Sequence, residues 1–312
     1  MSKVTIVGAG RMGSVIAHAM QILGHDLSLV DRSKKSFDYF NTLINDSLPV
    51  DFYPIMNLSK DILGICKDSE VVISALPYDQ TEKVANICIE NRIPYCDLGG
   101  RVDVSARINS QAKDMVGSFA FTDLGLAPGL VNILAEWGYH KLGGADSISM
   151  MVGGLPQDQF ANPLQYMVTW SVDGLINEYR DDCEILENGK IKTVKGMDGL
   201  EIVWTDAMEE HFPLEAFYTS GGAAHTIQTM QARGVKNCNY KTLRYLGHRD
   251  IVNFLIRDCD LSDECLREIF LKGCDAYSED MVVVRCVVTK GDVQWKKEFS
   301  IKSDNLSAMQ KG

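Results

Sequence analysis

Three glycines near the start of the chain have the spacing of a phosphate-binding turn. They follow an apolar strand pattern at 4–7 and precede a helical pattern at 12–23. Gly8 permits a tight turn, Gly10 lets the backbone approach a pyrophosphate, and Gly13 lets the helix pack closely on the strand. Because the first N–H groups of such a helix can bind phosphate, the motif predicts a dinucleotide site. The alternative is a glycine turn without a ligand. The residues assigned to the site are Gly8, Gly10, Arg11, Met12 and Gly13.

Asp31 ends a second strand pattern about 20 residues after the glycine motif, where this kind of site places an acceptor for a ribose 2′-hydroxyl. That position favours NAD as the cofactor. Arg32 weakens the preference, because an arginine there could bind the 2′-phosphate of NADP or lie against adenine. We therefore predict NAD, with NADP possible.

Composition excludes one class of partner. The 312 residues are 46% hydrophobic and carry a formal net charge of -11. The length and hydrophobic content suit one large globular domain or two modest ones. The negative charge and the lack of a basic run argue against nucleic acid, whose binding depends on Lys and Arg at phosphates.

No export signal or membrane span is predicted. The first strand pattern follows Met1-Ser2-Lys3 directly, which leaves no room for a signal peptide, and no apolar run approaches membrane-crossing length. We expect a cytoplasmic protein without membrane contact.

The nine cysteines form no CxxC pair. Without metal-ligand spacing, they are predicted to be reduced thiols that pack mostly as small hydrophobic side chains. No metal site is expected.

Strand and helix patterns alternate regularly up to about residue 122. This order predicts a doubly wound parallel sheet of the Rossmann type, in which ligands bind at the carboxyl ends of the strands. After Asp31, the expected strands cover 50–53, 71–76, 95–98 and 119–122, and the expected helices cover 37–44, 59–66, 80–91 and 102–115.

Small and polar residues follow the last three of these strands. We expect them to converge on the nicotinamide end of the cofactor. Asp97 could instead cap a helix, and Asp123 could instead be an acceptor in a turn. The residues are Ala75, Leu76 and Pro77 after the fourth strand, Asp97 and Gly99 after the fifth, and Asp123, Gly125 and Pro128 after the sixth.

Beyond about residue 145 the alternation is lost, and short strand patterns predict a mixed or antiparallel sheet. A helix at 263–272 should begin after Ser262, and Lys290-Gly291-Asp292 should form a hairpin turn. The other predicted helix covers 251–256. The expected strands cover 147–152, 183–186, 190–194, 201–204, 240–245, 281–289 and 293–301.

A glycine-containing segment leads into a predicted helix at 223–232, which Ser220 could cap. In the first turn of that helix, His225 would meet the positive end of the dipole, which disfavours imidazolium and suits a proton acceptor. A packed or capping histidine is equally consistent with the pattern. The predicted pocket residues are Tyr218, Thr219, Ser220, Gly221 and Gly222.

Arg244 lies in a strand pattern with apolar neighbours. An inward-pointing arginine needs an anion, and a substrate carboxylate could supply it. The competing interpretation is a structural ion pair with Glu215 or another acid.

Six segments in order along the chain resemble the saccharopine dehydrogenase-like amino-acid dehydrogenases, and within them most nearly the L-lysine 6-dehydrogenase branch. The six together are more specific than any one alone. They are Val7–Gly13, Asp97–Gly100, Thr122–Gly129, Val152–Pro156, Leu214–Gly222 and Tyr240–His248.

The resemblance implies an NAD(P)-binding Rossmann domain at 1–125 and an α+β domain at 126–312 for substrate binding and oligomerisation. A homodimer or higher homo-oligomer is therefore expected. Relatives of this type commonly return to the first domain with further helices, which this chain is expected to lack because it stops at Gly312.

With this resemblance, the leading hypothesis is an NAD-dependent oxidoreductase that acts on the C–N bond of an amino acid, with L-lysine as the first candidate substrate. Arg244 would hold the carboxylate, and His225 or Asp123 would accept or relay the amine proton. The first alternative is a saccharopine- or opine-type condensing enzyme that uses NADPH, for which Arg101 could supply a second carboxylate contact. The second alternative is a nucleotide-binding regulatory protein without turnover.

Overall fold

The chain forms two compact units, residues Met1–Gly125 and Leu126–Gly312. The structure is a computed structural model, and it describes residues 2–43, 50–208, 211–274 and 279–303. Each unit has its own sheet and its own hydrophobic clusters.

The first unit is built on a six-stranded sheet in which every pair of neighbouring strands is parallel. Its order is β3-β2-β1-β4-β5-β6, so the direction of winding reverses between β1 and β4. A ligand crevice is expected outside the carboxyl ends of the strands at such a reversal. The strands are β1 (Lys3–Val7), β2 (Asp26–Asp31), β3 (Val50–Pro54), β4 (Val71–Ser74), β5 (Tyr95–Asp97) and β6 (Ala120–Phe121).

Five helices connect these strands. α1 begins within the glycine motif, with Gly10 as its N-cap and Gly13 in the helix. The predicted helix at 37–44 corresponds to α2, although Ile44 lies outside the described residues. The helices are α1 (Arg11–Ile22), α2 (Lys34–Leu43), α3 (Leu58–Cys66), α4 (Tyr78–Glu90) and α5 (Val102–Ala112).

The second unit is built on a mixed sheet in the order β10-β11-β12-β7-β13-β14, with β8 paired to β12 and β9 to β8. β12 and β7 are parallel, and the other pairs are antiparallel. Together with the parallel first sheet, this architecture confirms the predicted fold class. The strands are β7 (Ser147–Pro156), β8 (Cys183–Glu187), β9 (Lys190–Val194), β10 (Glu201–Thr205), β11 (Phe212–Tyr218), β12 (Asn237–Arg244), β13 (Asp280–Lys290) and β14 (Val293–Lys302).

The helices of the second unit differ most from the sequence prediction. Neither α7 nor the strand β11 was predicted, and the predicted helix at 251–256 is divided between α9 and a π-helical segment at Phe254–Asp258. The hairpin turn at Lys290-Gly291-Asp292 is confirmed. The helices are α6 (Leu130–Leu142), α7 (Val172–Arg180), α8 (Thr226–Ala232), α9 (His248–Asn253) and α10 (Asp263–Gly273).

The N-terminus of α7 is defined by a side-chain cap. The Ser171 hydroxyl accepts a hydrogen bond of 3.2 Å from the Gly174 backbone N–H. The helix then buries Val172, Leu175, Ile176 and Tyr179, which lie on one face at helical spacing. This face packs in the same hydrophobic cluster as residues of α9 and α10, so the cap and the packing together position α7.

Ser171→Ala should lower the free energy of unfolding of the second unit by about 1 kcal/mol, because it removes the cap of α7. Urea unfolding followed by tryptophan fluorescence measures this, since Trp137, Trp170, Trp204 and Trp295 all lie in that unit. The control is Lys272→Ala, at an exposed position of α10 in the same unit, which loses only a surface ion pair with Glu268 and should cost less than about 0.5 kcal/mol. Equal urea midpoints for Ser171→Ala and the wild type would contradict the role of the cap.

Candidate functional site

The glycine motif of the first unit forms a tight loop between β1 and α1. Gly8 has a φ of 104° and donates a 2.8 Å hydrogen bond to the Val30 carbonyl. A Cβ on Gly13 would lie 1.7 Å from the Gly8 carbonyl oxygen. A larger residue at Gly13 would therefore push the helix away from the loop.

This loop fits a dinucleotide phosphate. A Cβ on Gly10 would meet nothing within 4 Å, so the space in front of that residue is open. The start of α1 has no side-chain cap and no acidic residue in its first turn. The N-terminal end of the helix dipole therefore favours a phosphate at this position. Arg11 begins the helix, and Met12 is exposed beside it.

Asp31 holds the glycine loop in place. Its carboxylate accepts hydrogen bonds from the Ala9 N–H at 2.7 Å and from the Ser33 N–H at 2.8 Å. Arg32, the next residue, is exposed and forms no ion pair among the described residues. Asp31, the acceptor expected for a ribose, and Arg32, the cation expected for a 2′-phosphate, are therefore adjacent.

Asp97 organises the carboxyl ends of β5 and β6. Its buried carboxylate accepts hydrogen bonds from the N–H groups of Gly99 and Asp123 and from the Tyr95 hydroxyl. Burial raises its pKa, and these hydrogen bonds oppose the increase. The Asp123 carboxylate accepts hydrogen bonds from the Ser105 and Thr122 hydroxyls. Both aspartates thus have a structural role in this turn.

The remaining residues predicted at the cofactor lie in turns. Ala75 follows β4 and donates its N–H to the Val7 carbonyl, Leu76 packs within 3.1 Å of a Cβ built on Gly8, and Pro77 is the N-cap of α4. Gly125 ends the first unit, whereas Pro128 belongs to the second.

In the second unit, Arg244 lies at the end of the central strand β12. Alternation along the strand places Tyr240, Thr242 and Arg244 on one face. Only 3% of Arg244 is exposed. A charged guanidinium is therefore held almost entirely within the protein.

The groups in direct contact with this guanidinium are neutral. Its Nε donates to the Tyr179 hydroxyl at 2.9 Å, and its Nη1 donates to the Thr242 hydroxyl and the Leu243 carbonyl, each at 2.9 Å. The guanidinium carbon lies 4.6 Å from the centre of the Tyr166 ring and 5.8 Å from that of Tyr179. These rings stabilise the cation without neutralising it.

His248 fixes the direction of the hydrogen bond to Tyr179. Its Nδ1 lies 2.7 Å from the Leu164 carbonyl, which can only accept, so Nδ1 carries the proton. Burial and the nearby Arg244 charge lower the pKa of His248 to about 3, so the ring is neutral. The bare Nε2 therefore accepts from the Tyr179 hydroxyl at 3.0 Å, and the Tyr179 oxygen accepts from Arg244.

No carboxylate neutralises Arg244 through an ion pair among the described residues. Glu215 is its directly opposed partner on β11, yet the Glu215 carboxylate accepts from the backbone N–H groups of Gly247 and Arg249. The Arg244–Glu215 ion pair that the sequence left open is therefore not formed. Nη2 of Arg244 donates to no acceptor in the described part of the chain.

The predicted pocket segment follows β11 directly. The Tyr218 ring packs against Gly199 and lies 4.8 Å below the ammonium group of Lys241. Thr219 is 3% exposed, and its hydroxyl has no hydrogen-bond partner among the described residues. Gly222 packs on the Tyr240 ring, where a Cβ would lie 2.2 Å from the nearest ring atom.

Two details of this segment were predicted wrongly. α8 begins at Thr226, so His225 is its N-cap and not part of its first turn. Ser220 does not cap the helix, because its hydroxyl donates to the Asn177 carbonyl instead. Gly221, with a φ of 85°, lies in the turn between them. His225 Nε2 is buried, and no described residue hydrogen-bonds to it.

Sequence reasoning missed two residues around Arg244, Glu178 and Tyr179, and gave a third, His248, only as a weaker candidate. The first two lie on α7, whose buried positions repeat at helical spacing after a serine cap. That signal was present in the sequence. Nothing local to His248 indicates its contact with Tyr179, because the two residues are far apart along the chain.

Among the described residues, neither a metal-binding group nor a membrane helix is found. Within the ranges that the structure describes, no three His, Cys, Asp or Glu side chains could together hold a metal ion. No helix there combines the length and hydropathy needed to cross a bilayer.

Two protein families match the chain. The saccharopine dehydrogenase NADP binding domain matches residues 4–119, and the saccharopine dehydrogenase C-terminal domain matches residues 125–289.

Curated relatives are similar at low identity. The mitochondrial alpha-aminoadipic semialdehyde synthase of Mus musculus is 27% identical over 205 residues, which cover 62% of this chain and 21% of the relative. Saccharopine dehydrogenase [NADP(+), L-glutamate-forming] of Schizosaccharomyces pombe is 26% identical over 227 residues, which cover 70% of this chain and 49% of the relative. The matched part is thus less than half of each relative.

A solved structure shares the fold. Apo saccharopine dehydrogenase (L-Glu forming) from Saccharomyces cerevisiae matches with a TM-score of 0.70 at 15% identity, covering 97% of this chain and 85% of that one. At this identity the likeness shows the fold alone.

Tyr179→Phe should lower the free energy of unfolding of the second unit by about 1–3 kcal/mol, because it leaves Arg244 Nε and His248 Nε2 buried without partners. Urea unfolding followed by tryptophan fluorescence measures the loss. Tyr139→Phe is the control, since no described residue hydrogen-bonds to the Tyr139 hydroxyl. A loss no larger than that of the control would show that the hydroxyl does not hold Arg244.

Proposed function

Since the chain belongs to the saccharopine dehydrogenase family, we propose that it is an NAD(P)-dependent oxidoreductase acting on a C–N bond of an amino acid. The observation that carries the proposal is the buried Arg244 guanidinium, which forms no ion pair with a carboxylate among the described residues. A buried charge that no hydrogen-bonded carboxylate neutralises is costly, so an anion that reaches Nη2 from outside the chain is expected. The substrate carboxylate is that anion in our proposal.

Arg244 is prepared to bind a carboxylate. Its Nε and Nη1 are held by Tyr179, Thr242 and the Leu243 carbonyl, so the side chain is fixed before the substrate arrives. Nη2 remains to donate to an oxygen atom of the ligand. Fixing the donor in advance reduces the entropy that binding must lose.

The nucleotide would bind at Gly8, Gly10 and Gly13, with its pyrophosphate at the start of α1. When bound, its nicotinamide exchanges a hydride with the carbon that carries the nitrogen. An ammonium group must lose a proton before hydride can leave its carbon. We propose His225 Nε2 as the acceptor, because that atom has no partner in the described chain, whereas both Asp123 oxygens accept hydroxyl hydrogen bonds.

The geometry favours a substrate with one anchored carboxylate, such as L-lysine. Arg244 is the one buried arginine among the described residues of the chain. Arg101, considered above as a second anchor, is exposed, pairs with Asp103 at 2.9 Å and stacks on the Tyr78 ring. A substrate with two deeply bound carboxylates therefore has less support from the side chains.

The second candidate is a reductive condensing enzyme of the saccharopine type. It is favoured by the names of the relatives, which include saccharopine dehydrogenases that use NADP(+). A non-catalytic nucleotide-binding protein is the remaining candidate.

One experiment separates these candidates. The full chain is mixed with NAD⁺ or NADP⁺ and a panel of amino acids that includes L-lysine and saccharopine, and reduced nicotinamide is followed by absorbance. Reduction with L-lysine supports amine oxidation. Reduction with saccharopine alone, or a need for a keto acid in the reverse direction, supports the condensing enzyme. Nucleotide binding without turnover contradicts both.

Arg244→Leu should lower kcat/KM for the active amino acid by about 10- to 100-fold, because one charge-assisted contact to the carboxylate is lost. Leucine suits a buried site, so the variant should fold. Arg233→Leu is the control: Arg233 pairs with Glu136 near the surface, and its loss should change kcat/KM by less than about twofold. Wild-type turnover in Arg244→Leu would remove the carboxylate assignment.

Arg32→Ala should weaken NADPH binding by about tenfold and NADH binding far less, since only NADPH carries a 2′-phosphate for the guanidinium. Titration followed by nicotinamide fluorescence gives both dissociation constants. Lys113→Ala removes an equal charge from an exposed position in the same unit and should affect neither. Equal weakening of both cofactors by Arg32→Ala would contradict a 2′-phosphate contact and would instead favour an Arg32 that lies against adenine.

A further inference from the structure

Glu178, near the C-terminal end of α7, has a carboxylate without a direct partner among the described residues. It accepts no hydrogen bond and forms no ion pair in the described part of the chain. Its neighbour Tyr179 is the residue that holds Arg244 Nε. The side chain is half-buried, so it keeps some access to solvent.

Arg244 supplies the positive charge near this carboxylate. Burial raises the pKa of Glu178 to about 7, and the Arg244 charge opposes the increase. Burial also raises the pKa values of the other ionisable groups around Glu178, so these groups stay neutral near pH 7. They are Tyr166, Tyr179 and Tyr240 and the thiol of Cys183.

The predicted pocket segment meets α7 at this point. The Ser220 N–H donates to the Glu178 carbonyl at 3.0 Å, which fixes the segment next to the helix. Thr219, one residue earlier, keeps a buried hydroxyl without a partner among the described residues. The second unit thus contains three groups with unused hydrogen-bonding capacity among the described residues: the Glu178 carboxylate, the Thr219 hydroxyl and Nη2 of Arg244.

We propose that Glu178 binds the ammonium group of the substrate next to the carboxylate held by Arg244, and so selects an intact amino-acid head group over a molecule that lacks the 2-amino group. The inference rests on the proposed function and names the part of the substrate that this site recognises. Although the Arg244 charge acts on Glu178, the two side chains form no hydrogen bond or ion pair with each other, so each can bind the opposite charge of a zwitterion. A ligand with both charges offsets the burial cost of both side chains.

The role of Glu178 predicts how the affinity for an amino acid changes with pH. Above about pH 7 the Glu178 carboxylate is charged and attracts ammonium, and below that value it becomes neutral. Amino-acid affinity should therefore fall about tenfold between pH 8 and pH 6. His248 does not contribute, because its pKa of about 3 keeps it neutral throughout this range.

Stability should depend on pH in the opposite sense. A carboxyl whose pKa is raised by folding from 4.5 to about 7 destabilises the folded state progressively between those values and fully above them. Glu178→Gln removes this cost and keeps the shape of the side chain. Its thermal midpoint at pH 8 should therefore be no lower than that of the wild type.

The test is calorimetric titration of the full chain with L-lysine, saccharopine and 6-aminohexanoate, which is lysine without its 2-amino group. At pH 8 the wild type should bind L-lysine or saccharopine at least about tenfold more tightly than 6-aminohexanoate. Glu178→Gln should lose that preference and the change between pH 8 and pH 6. Glu178→Asp, which keeps the charge, should retain the pH change. Asp173→Asn, on the same helix, loses only an exposed ion pair with Arg267 and should match the wild type.

The outcomes distinguish the two proposals. If the wild type binds neither L-lysine nor saccharopine, the proposed function fails and the role of Glu178 fails with it. If the wild type binds either of them but Glu178→Gln binds it equally well, only the role of Glu178 is overturned. Equal wild-type affinity for L-lysine and 6-aminohexanoate also overturns it.

Discussion

A buried guanidinium that neutral groups hold in place is the interaction on which the second unit depends. Arg244 cannot lose its proton in a protein. Its burial therefore requires hydrogen-bond acceptors and polarisable rings that replace the water lost from around the guanidinium. Tyr179, Thr242 and the Leu243 carbonyl provide the acceptors, and Tyr166 provides a ring face. None of these groups cancels the charge, and the site therefore keeps an attraction for anions.

The direction of the hydrogen bonds around Arg244 follows from one carbonyl group. The Leu164 oxygen can only accept, which places the proton of His248 on Nδ1 and makes Nε2 an acceptor for the Tyr179 hydroxyl. Tyr179 therefore presents oxygen lone pairs to Arg244. Phe217 and Phe270 pack around Tyr179 with ring centres 6.0 and 6.3 Å away, which keeps this network in an apolar environment. Low polarity strengthens every bond in the network and makes each missing partner costly.

The first unit depends on close backbone contact instead of buried charge. The Gly8 and Gly13 contacts leave no room for side chains between β1 and α1. Asp31 and Asp97 then secure the ends of β2 and β5 by accepting backbone N–H groups. A loop made of fixed N–H donors suits a phosphate ligand, since binding needs little reorganisation.

The sequence by itself determined the features that depend on local pattern. The glycine spacing, the alternation of strands and helices, the hairpin at residues 290–292 and the family resemblance were all readable without coordinates. α7 was equally readable, because Ser171 and the buried spacing of its apolar residues carry a standard helix signal. β11 was not, since Pro213 and the buried Glu215 interrupt its strand pattern, and distant N–H groups make that burial tolerable.

Only the tertiary structure decided what surrounds Arg244. The sequence left open an ion pair with Glu215, and the structure supplies Tyr179 from α7, His248 from α9 and Tyr166 from an irregular segment. Tyr179 lies 65 residues from Arg244 and 69 from His248 along the chain, so no local periodicity relates it to them. The physical reason is that helix and strand patterns report which side of an element is buried, whereas the partner of a buried charge is set by how separate elements pack.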